Sequence, residues 1–320
     1  MDFIASEKII LDYGGAVGGE KLLRNLSGVA VDGDRLWTVS DEGRTLECLE
    51  SDGERYRLRR QYRVDDLVHG LPGRQEDEPA ELDLEAISLD GDMLWFAGSH
   101  CLVRKADDND KDAMFPTIRT RESRFVLARA EIRNGDIVRT SALPWRGPES
   151  LRQWLKGDSY LDPFLDLPSK ENGLDIEGLA ARDNRVMLGC RGPLLDSRAV
   201  AIELTFDETF TIDHYALHFL DLDGLGIRDL CWQDDQLLVK AGPTSDARGL
   251  FGLYRWSPTI PGRVEHPERL LSFLTNTEKP EGVCPLARGG REGLIVLYDS
   301  PDGPRWNQDM TYEADWMAYP

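Results

Sequence analysis

One pattern of polar and apolar positions recurs five times along the chain: a polar residue, an apolar-alternating run, a tight-turn signal, a second and nearly continuous apolar run, and a polar tail. The copies open at Ser27-Gly28-Val29, Glu85-Ala86-Ile87, Glu177-Gly178-Leu179, Asp229-Leu230-Cys231 and Glu281-Gly282-Val283. Four of the five openings are carboxylates. The turn signals Asp32-Gly33, Asp90-Gly91, Asp183-Asn184, Asp234-Asp235 and Gly289-Gly290 tolerate positive φ, so each joins two antiparallel strands. The second strands, among them Leu36-Trp37-Thr38-Val39, Leu94-Trp95-Phe96 and Leu294-Ile295-Val296-Leu297, are apolar on both faces, which predicts sheets covered on both sides.

Further strand candidates at 124–130 with 137–139, and at 199–204 with 210–213, bring the count to four per unit, as in a propeller blade. The pattern therefore predicts an all-β chain folded as a single β-propeller domain over 1–320. Five blades fall at about 25–67, 82–145, 174–220, 225–274 and 278–320, with a sixth open if one copy is degenerate. The last unit lacks an outermost strand. Residues 6–12 could supply it, closing the ring and hiding two sheet edges. A short inserted helix is predicted at 148–157, where apolar positions fall at helical spacing with Pro148 near the start and Gly157 past the end. The polar segment 105–122 reads as a mobile loop, and Trp37, Trp95 and Trp232 as core.

Composition narrows the function. With 38 Lys+Arg against 58 Asp+Glu the net charge is −20, which repels phosphate backbones and anionic headgroups, so nucleic acid and membrane surfaces are not expected partners. No apolar run approaches the roughly 20 residues of a spanning helix, and the first eight residues do not read as a secretory signal. A cytoplasmic location is the expectation. The 5 cysteines are widely spaced and contain no C-x-x-C pair, which argues for reduced thiols. Phosphate-loop, dinucleotide, serine-elbow and zincin motifs are all missing, and Asp108-Asn109-Asp110-Lys111-Asp112 lacks the Gly and the distal Glu of a calcium loop.

The candidate chemistry lies at the strand ends. The start of the first strand and the end of the second lie at one end of a hairpin, and Ser27 to Asp41, Glu85 to Ser99 and Glu177 to Arg191 are each fourteen positions apart. If the first strand is innermost, Ser27, Glu85, Glu177, Asp229 and Glu281 surround a central channel, with Asp41, Glu42, Ser99, His100, Arg191, Thr244 and Asp299 beside them. Crowded carboxylates raise one another's pKa unless a cation neutralises them or a proton is shared. Candidate metal ligands are Glu85, Glu177, Asp229, Glu281, Asp41 and Asp299, for Ca²⁺ or Mg²⁺. The alternative role for each is to cap backbone N–H groups of the neighbouring unit. His214 and His218 read as packed or exposed on an outer strand.

These residues carry a family resemblance. Leu84-Glu85, Gly98-Ser99-His100, Gly173-Leu174-Asp175-Ile176-Glu177-Gly178-Leu179, Arg191-Gly192-Pro193, His218-Phe219-Leu220-Asp221, Gly224-Leu225-Gly226-Ile227-Arg228-Asp229-Leu230, Ala241-Gly242-Pro243-Thr244, Pro280-Glu281-Gly282 and Tyr298-Asp299-Ser300-Pro301 form an ordered set spanning nearly the whole chain. In this it resembles the bacterial domain-of-unknown-function family 3616, which is similar in appearance to propellers of the phytase and esterase-like kind. The chain departs from the pattern at Ala86, where Gly is expected, and at Cys101, where a small polar residue is expected. The resemblance implies the fold more than an activity; likeness to phytase-type propellers implies calcium-dependent phosphoester hydrolysis by analogy alone.

The expectation is thus a metal-dependent hydrolase of a small anionic phosphoester or ester. Glu177, Glu281 and His100 are its candidate catalytic residues, and Arg191, Arg228, Ser99 and Thr244 its substrate contacts. The alternative is a non-enzymatic propeller that binds a ligand or protein partner, its carboxylates serving as brace or recognition surface.

Overall fold

Each predicted hairpin folds with two further strands into a four-stranded antiparallel unit, and the protein is all-β. The computed structural model describes residues 7–73, 80–104, 116–245, 249–273, 278–299 and 305–319. Ser6 and the acidic segment 108–112 lie outside them. A strand β1 (Glu7–Asp12) precedes the first unit, made of β2 (Leu26–Asp32), β3 (Arg35–Ser40), β4 (Thr45–Ser51) and β5 (Tyr56–Arg63). In the second, β6 (Leu84–Asp90) and β7 (Met93–Gly98) are followed by a small two-stranded excursion, β8 (Leu102–Arg104) with β9 (Ile118–Thr120), before β10 (Leu127–Arg133) and β11 (Asp136–Ala142). That excursion falls where the sequence predicted only a loop.

The third unit contains β12 (Asp175–Arg182), β13 (Arg185–Leu195), β14 (Arg198–Phe206) and β15 (Ile212–Leu220). The fourth contains β16 (Gly226–Gln233), β17 (Gln236–Gly242) and β18 (Phe251–Trp256). The short β19 (Val264–Glu265) then joins β15 of the third unit, and β20 (Glu268–Phe273) completes the fourth. The fifth has three strands of its own, β21 (Lys279–Pro285), β22 (Gly293–Asp299) and β23 (Thr311–Ala318), and β1 pairs antiparallel with β23 from Glu7↔Trp316 to Asp12↔Thr311. Because β1 also pairs in parallel with β5 at Leu11↔Tyr56 and Asp12↔Arg57, the fifth and first units share one eight-stranded sheet.

The doubly apolar second strands have a direct explanation. Five hydrophobic clusters lie between the first and second, second and third, third and fourth, fourth and fifth, and fifth and first units. Side chains alternate along a strand, so β22 sends Leu294 and Val296 into one cluster and Ile295 and Leu297 into the next. β17 does likewise with Leu238 against Leu237 and Val239. Trp37 and Trp95 are buried as expected, whereas Trp232 is only half-buried, with the Arg182 guanidinium 4.0 Å from its ring centroid. All 5 cysteines are free thiols.

First strands of adjacent units touch in the order β2, β6, β12, β16, β21 and back to β2. A Cβ added to Gly178 would sit 3.1 Å from the Leu230 amide nitrogen, and one on Gly282 would sit 3.1 Å from the Gly28 Cα, so glycine is needed for this approach. The inserted helix is shorter than predicted, Leu151–Leu155, with Ser150 accepting a hydrogen bond from the Gln153 amide as N-cap. Among the described residues no helix is long and apolar enough to cross a membrane.

Leu11, fully buried on β1 between the first and fifth units, tests this terminal pairing. Leu11→Ala is expected to cost about 2–5 kcal/mol in urea unfolding; a cost under about 1 kcal/mol would mean that β1 contributes little to holding the two units together.

Candidate functional site

The same irregularity marks the start of every unit. In β2 the register runs Leu26↔Ser40 then Gly28↔Val39, leaving Ser27 as an extra residue, and in β6 it runs Leu84↔Gly98 then Ala86↔Ala97, leaving Glu85. Glu177 is skipped in the same way between Ile176 and Gly178, and Glu281 with Gly282 between Pro280 and Val283. In the fourth unit the skipped residue is Arg228, between Ile227↔Ala241 and Asp229↔Lys240. Such bulges re-aim one side chain out of the strand's alternation. The sequence alignment therefore slipped by one in this unit. The equivalent of Glu85 and Glu177 is Arg228, not Asp229, and the fourteen-position spacing recurs from Arg228 to Gly242, where Asp229 gave thirteen.

Substituting a guanidinium into a ring of carboxylates changes its electrostatics. Arg191 places Nη1 2.7 Å from Glu177 Oε1 and Nη2 2.5 Å from Asp175 Oδ2, and Ser169 donates to the same Asp175 oxygen at 2.5 Å. Arg228 Nε lies 2.8 Å from Glu177 Oε2 as an ion pair without hydrogen-bond alignment, while its Nη2 donates to Glu281 Oε1 at 2.5 Å. Lys240, fully buried, completes the run by donating to Glu281 Oε2 at 3.1 Å and to the Pro280 carbonyl at 2.6 Å. Asp175, Arg191, Glu177, Arg228, Glu281 and Lys240 thus alternate in sign across the third, fourth and fifth units. Burial works against ionisation of Glu281, but Arg228 and Lys240 outweigh it and hold its pKa down at about 2. For Glu177 burial wins over the two arginines and pushes the pKa up.

Two of the expected site residues are backbone clamps. Asp229 accepts the Leu230 amide at 2.8 Å and the Val283 amide of the next unit at 2.7 Å, and burial raises its pKa to about 8. Ser27 donates to the Leu84 carbonyl of the second unit at 2.5 Å. Asp229 thus caps a backbone N–H of the neighbouring unit as the alternative reading expected, whereas Ser27 donates to a carbonyl there.

His100 is not at the strand-end site. Its backbone turns with φ 55°, and the ring is buried against Phe125 with Nε2 3.1 Å from the Val126 carbonyl. Burial, reinforced by Arg152, lowers its pKa to about 3, so it stays neutral and packed. Thr244 follows β17 half-exposed and is not among the residues lining the cavity described below. Asp299 is partly exposed beside Lys279 at 3.4 Å, with its pKa raised by burial and then by Glu281. His218 is buried between Glu265 (Nδ1 to Oε1, 2.7 Å) and Glu203 (Nε2 to Oε2, 3.0 Å).

The remaining predicted residues face a cavity of about 420 Å³ walled by the first three units. Asp41, Glu42, Glu85 and Arg191 line it together with Asp83, Arg124, Asp175 and the apolar Leu102, Val103 and Pro168. Ser99 donates to Asp83 Oδ2 behind this wall, and Cys101, whose Sγ is 3.0 Å from Arg124 Nη1, lines it. Arg124 pairs with Glu81 and, at 2.8 Å, with Asp83; Arg104 holds Glu171 at 2.5 Å; Glu42 meets Lys21 at 3.1 Å. Asp41 Oδ1 is enclosed and has no hydrogen-bond partner, and Glu85 has no hydrogen bond or ion pair among the described residues. Burial, then Asp83, Asp299 and Glu42, raises the Asp41 pKa; burial, then Glu177, Asp83 and Asp41, raises that of Glu85. Among the described residues no three or more His, Cys, Asp or Glu side chains are grouped to hold a metal ion.

Sequence reasoning missed Asp83, Asp175, Lys240 and Arg124. The first two were visible in the repeat, because Asp83-Leu84-Glu85 and Asp175-Ile176-Glu177 share a D-x-E spacing where the first strand begins. Lys240 stood out as a charge inside an apolar second strand. Arg124 carried no such signal.

The ordered motif set agrees with the family comparison: the model for "Protein of unknown function (DUF3616)" matches residues 25–315. The chain belongs to the DUF3616 family. No curated protein matches it. Among solved structures the DUF3616 chain is similar to a luciferin-regenerating enzyme, with 11% identity, TM-score 0.44 and coverage of 99% of this chain and 96% of that one. It is also similar to a glutaminyl cyclase from Myxococcus xanthus, with 9% identity, TM-score 0.44 and coverage of 98% and 100%. A third is a PQQ-bound aldose sugar dehydrogenase from Streptomyces coelicolor, with 12% identity, TM-score 0.39 and coverage of 98% and 99%. None of these lends the site an activity.

Removing one member of the ladder strands its partners in a buried place. Glu281→Gln is expected to cost about 3–5 kcal/mol at pH 7 in chemical unfolding. Since the folded pKa lies below the ordinary 4.5, the stabilisation is present above that value and lost as pH falls towards about 2, so wild type and variant converge in acid. Asp229→Ala, which leaves the Leu230 and Val283 amides unpaired, is expected to cost about 2–5 kcal/mol; a neutral result would remove it from the brace.

Proposed function

We propose that the chain is a five-bladed β-propeller that binds a small molecule in the cavity between its first three blades, while the charge ladder of the last three braces the ring. The ring is supported by five inter-unit clusters and by first strands that touch in cyclic order. It makes 1–320 one domain, with β1 as the outermost strand of the fifth blade. Repeat folds of this kind hold ligands where blade ends converge, and a volume of about 420 Å³ suits a small molecule.

One observation carries the reading: Arg124 and Arg191 are spent on carboxylates, while Asp41 and Glu85 face the cavity without an ion pair among the described residues. This favours recognition over hydrolysis. Of the three residues first cast as catalytic, Glu177 and Glu281 are held by arginine and His100 is packed in the core. It also turns the reading away from an anionic ligand and an axial Ca²⁺ or Mg²⁺, since the ladder already neutralises Glu177 and Glu281.

Val103 lies on the cavity wall, half-exposed. Fragments of mixed charge that raise the melting temperature of the wild type are expected to lose that effect in Val103→Trp, whose own melting temperature stays within about 2 °C. Hits that survive the tryptophan would place binding elsewhere. Ester or phosphoester turnover that Glu177→Gln abolishes without lowering the melting temperature would restore the hydrolase reading.

A further inference from the structure

We infer that the cavity takes an organic monocation, a primary ammonium or guanidinium group on a short apolar body, with Asp41 and Glu85 as its counter-ions. This rests on the reading of the cavity as a ligand site and names the class of ligand.

The argument begins with what the wall has left to offer. Every arginine on it is committed: Arg104 grips Glu171 through Nε at 2.5 Å and Nη2 at 2.6 Å, Arg124 holds Glu81 and Asp83, and Arg191 holds Asp175 and Glu177. A guanidinium whose donors are already matched by carboxylates has little to give an incoming anion. The unmet demand is for donors. Asp41 Oδ1 is enclosed by protein without one, although the same residue accepts a hydrogen bond from the Glu42 backbone. A buried acceptor left unpaired costs about 1–3 kcal/mol, which a turn of the Asp41 carboxylate towards a donor on a ligand would recover.

A hard divalent cation would meet the charge but not the geometry. Calcium takes about six to eight oxygens and magnesium about six, largely carboxylate, carbonyl and water. No group of three or more suitable side chains converges among the described residues. A bare ion would also leave most of the volume unused. Ammonium brings three donors and guanidinium five, and an attached carbon chain finds Leu102, Val103 and Pro168 on the wall of the same cavity. The raised pKa values of Asp41 and Glu85 agree, since acids that crowd one another gain when a cation enters.

The probes are n-butylammonium, n-butanol, butyrate and CaCl₂, each titrated against the full chain at pH 8 while its melting temperature is followed. Butylammonium is expected to give a saturable rise of about 2 °C or more at ten times its Kd, and butanol and butyrate none. In Glu85→Gln that rise is expected to vanish, while the unliganded melting temperature holds or increases because a buried repulsion is gone. Asp41→Asn should repeat the result, which guards against a local effect of one substitution. A rise with CaCl₂ alone that depends on Glu85 would overturn the monocation in favour of a divalent site. A rise with butyrate or butanol that Val103→Trp removes would leave the ligand cavity standing and sink the cation class. If no probe acts on the wild type, the class falls; if no charge type of fragment acts either, the cavity reading falls with it.

Discussion

Alternation of sign among six charges, five of them buried, is the constraint on which the arrangement of the inner strands depends. An isolated carboxylate or ammonium in such surroundings costs several kcal/mol, and pairing makes burial tolerable only when each group has its opposite within reach. Arg228 is the pivot: it touches Glu177 on one side and Glu281 on the other, so the third and fifth units are held through the fourth. Hydrogen bonds to backbone join neighbouring units as well, as with Ser27 on the Leu84 carbonyl and Asp229 on the Val283 amide. The recurring bulge makes both solutions available, since it brings one polar side chain per unit out of strand alternation without breaking the apolar pattern that follows.

The ladder also explains why the first two units differ from the others. Its run of paired groups begins at Asp175 and ends at Lys240, and nothing comparable extends to Asp41 or Glu85. The electrostatic imbalance of the inner surface is thereby collected on one side. Asp83 is drawn off by Arg124, which leaves two acids next to apolar wall rather than a ring of five around an axis. A net charge of −20 does not by itself select such a site, because most of that charge is spread over solvated surface.

The four-strand units, their turns and the terminal strand were legible in the sequence because strand period and turn chemistry are local properties. The site was legible only in part. Glu85, Glu177 and Glu281 were found, but Asp229 was set in the place of Arg228, because an alignment by charge type preferred one carboxylate more to an arginine one residue earlier. A single-residue slip decides which side chain is the bulged one. His100 falls two residues past the end of β7, and its ring direction follows from a positive φ that the pattern does not encode. Pairings such as Arg124 with Asp83 depend on how β10 and the segment before β6 meet in space, and a one-dimensional pattern holds no trace of that.

The position of β1 bears on how the molecule is made. Lys8 is bonded to Asp315, 307 residues away, and β1 stands between β5 and β23. A chain emerging from the ribosome can build the intervening units as it goes, but β1 must wait for β23 before it finds its antiparallel neighbour. Contacts of such separation are slow to form. Until β23 has been made, β1 keeps an open sheet edge, and the fifth unit must form before that edge is covered.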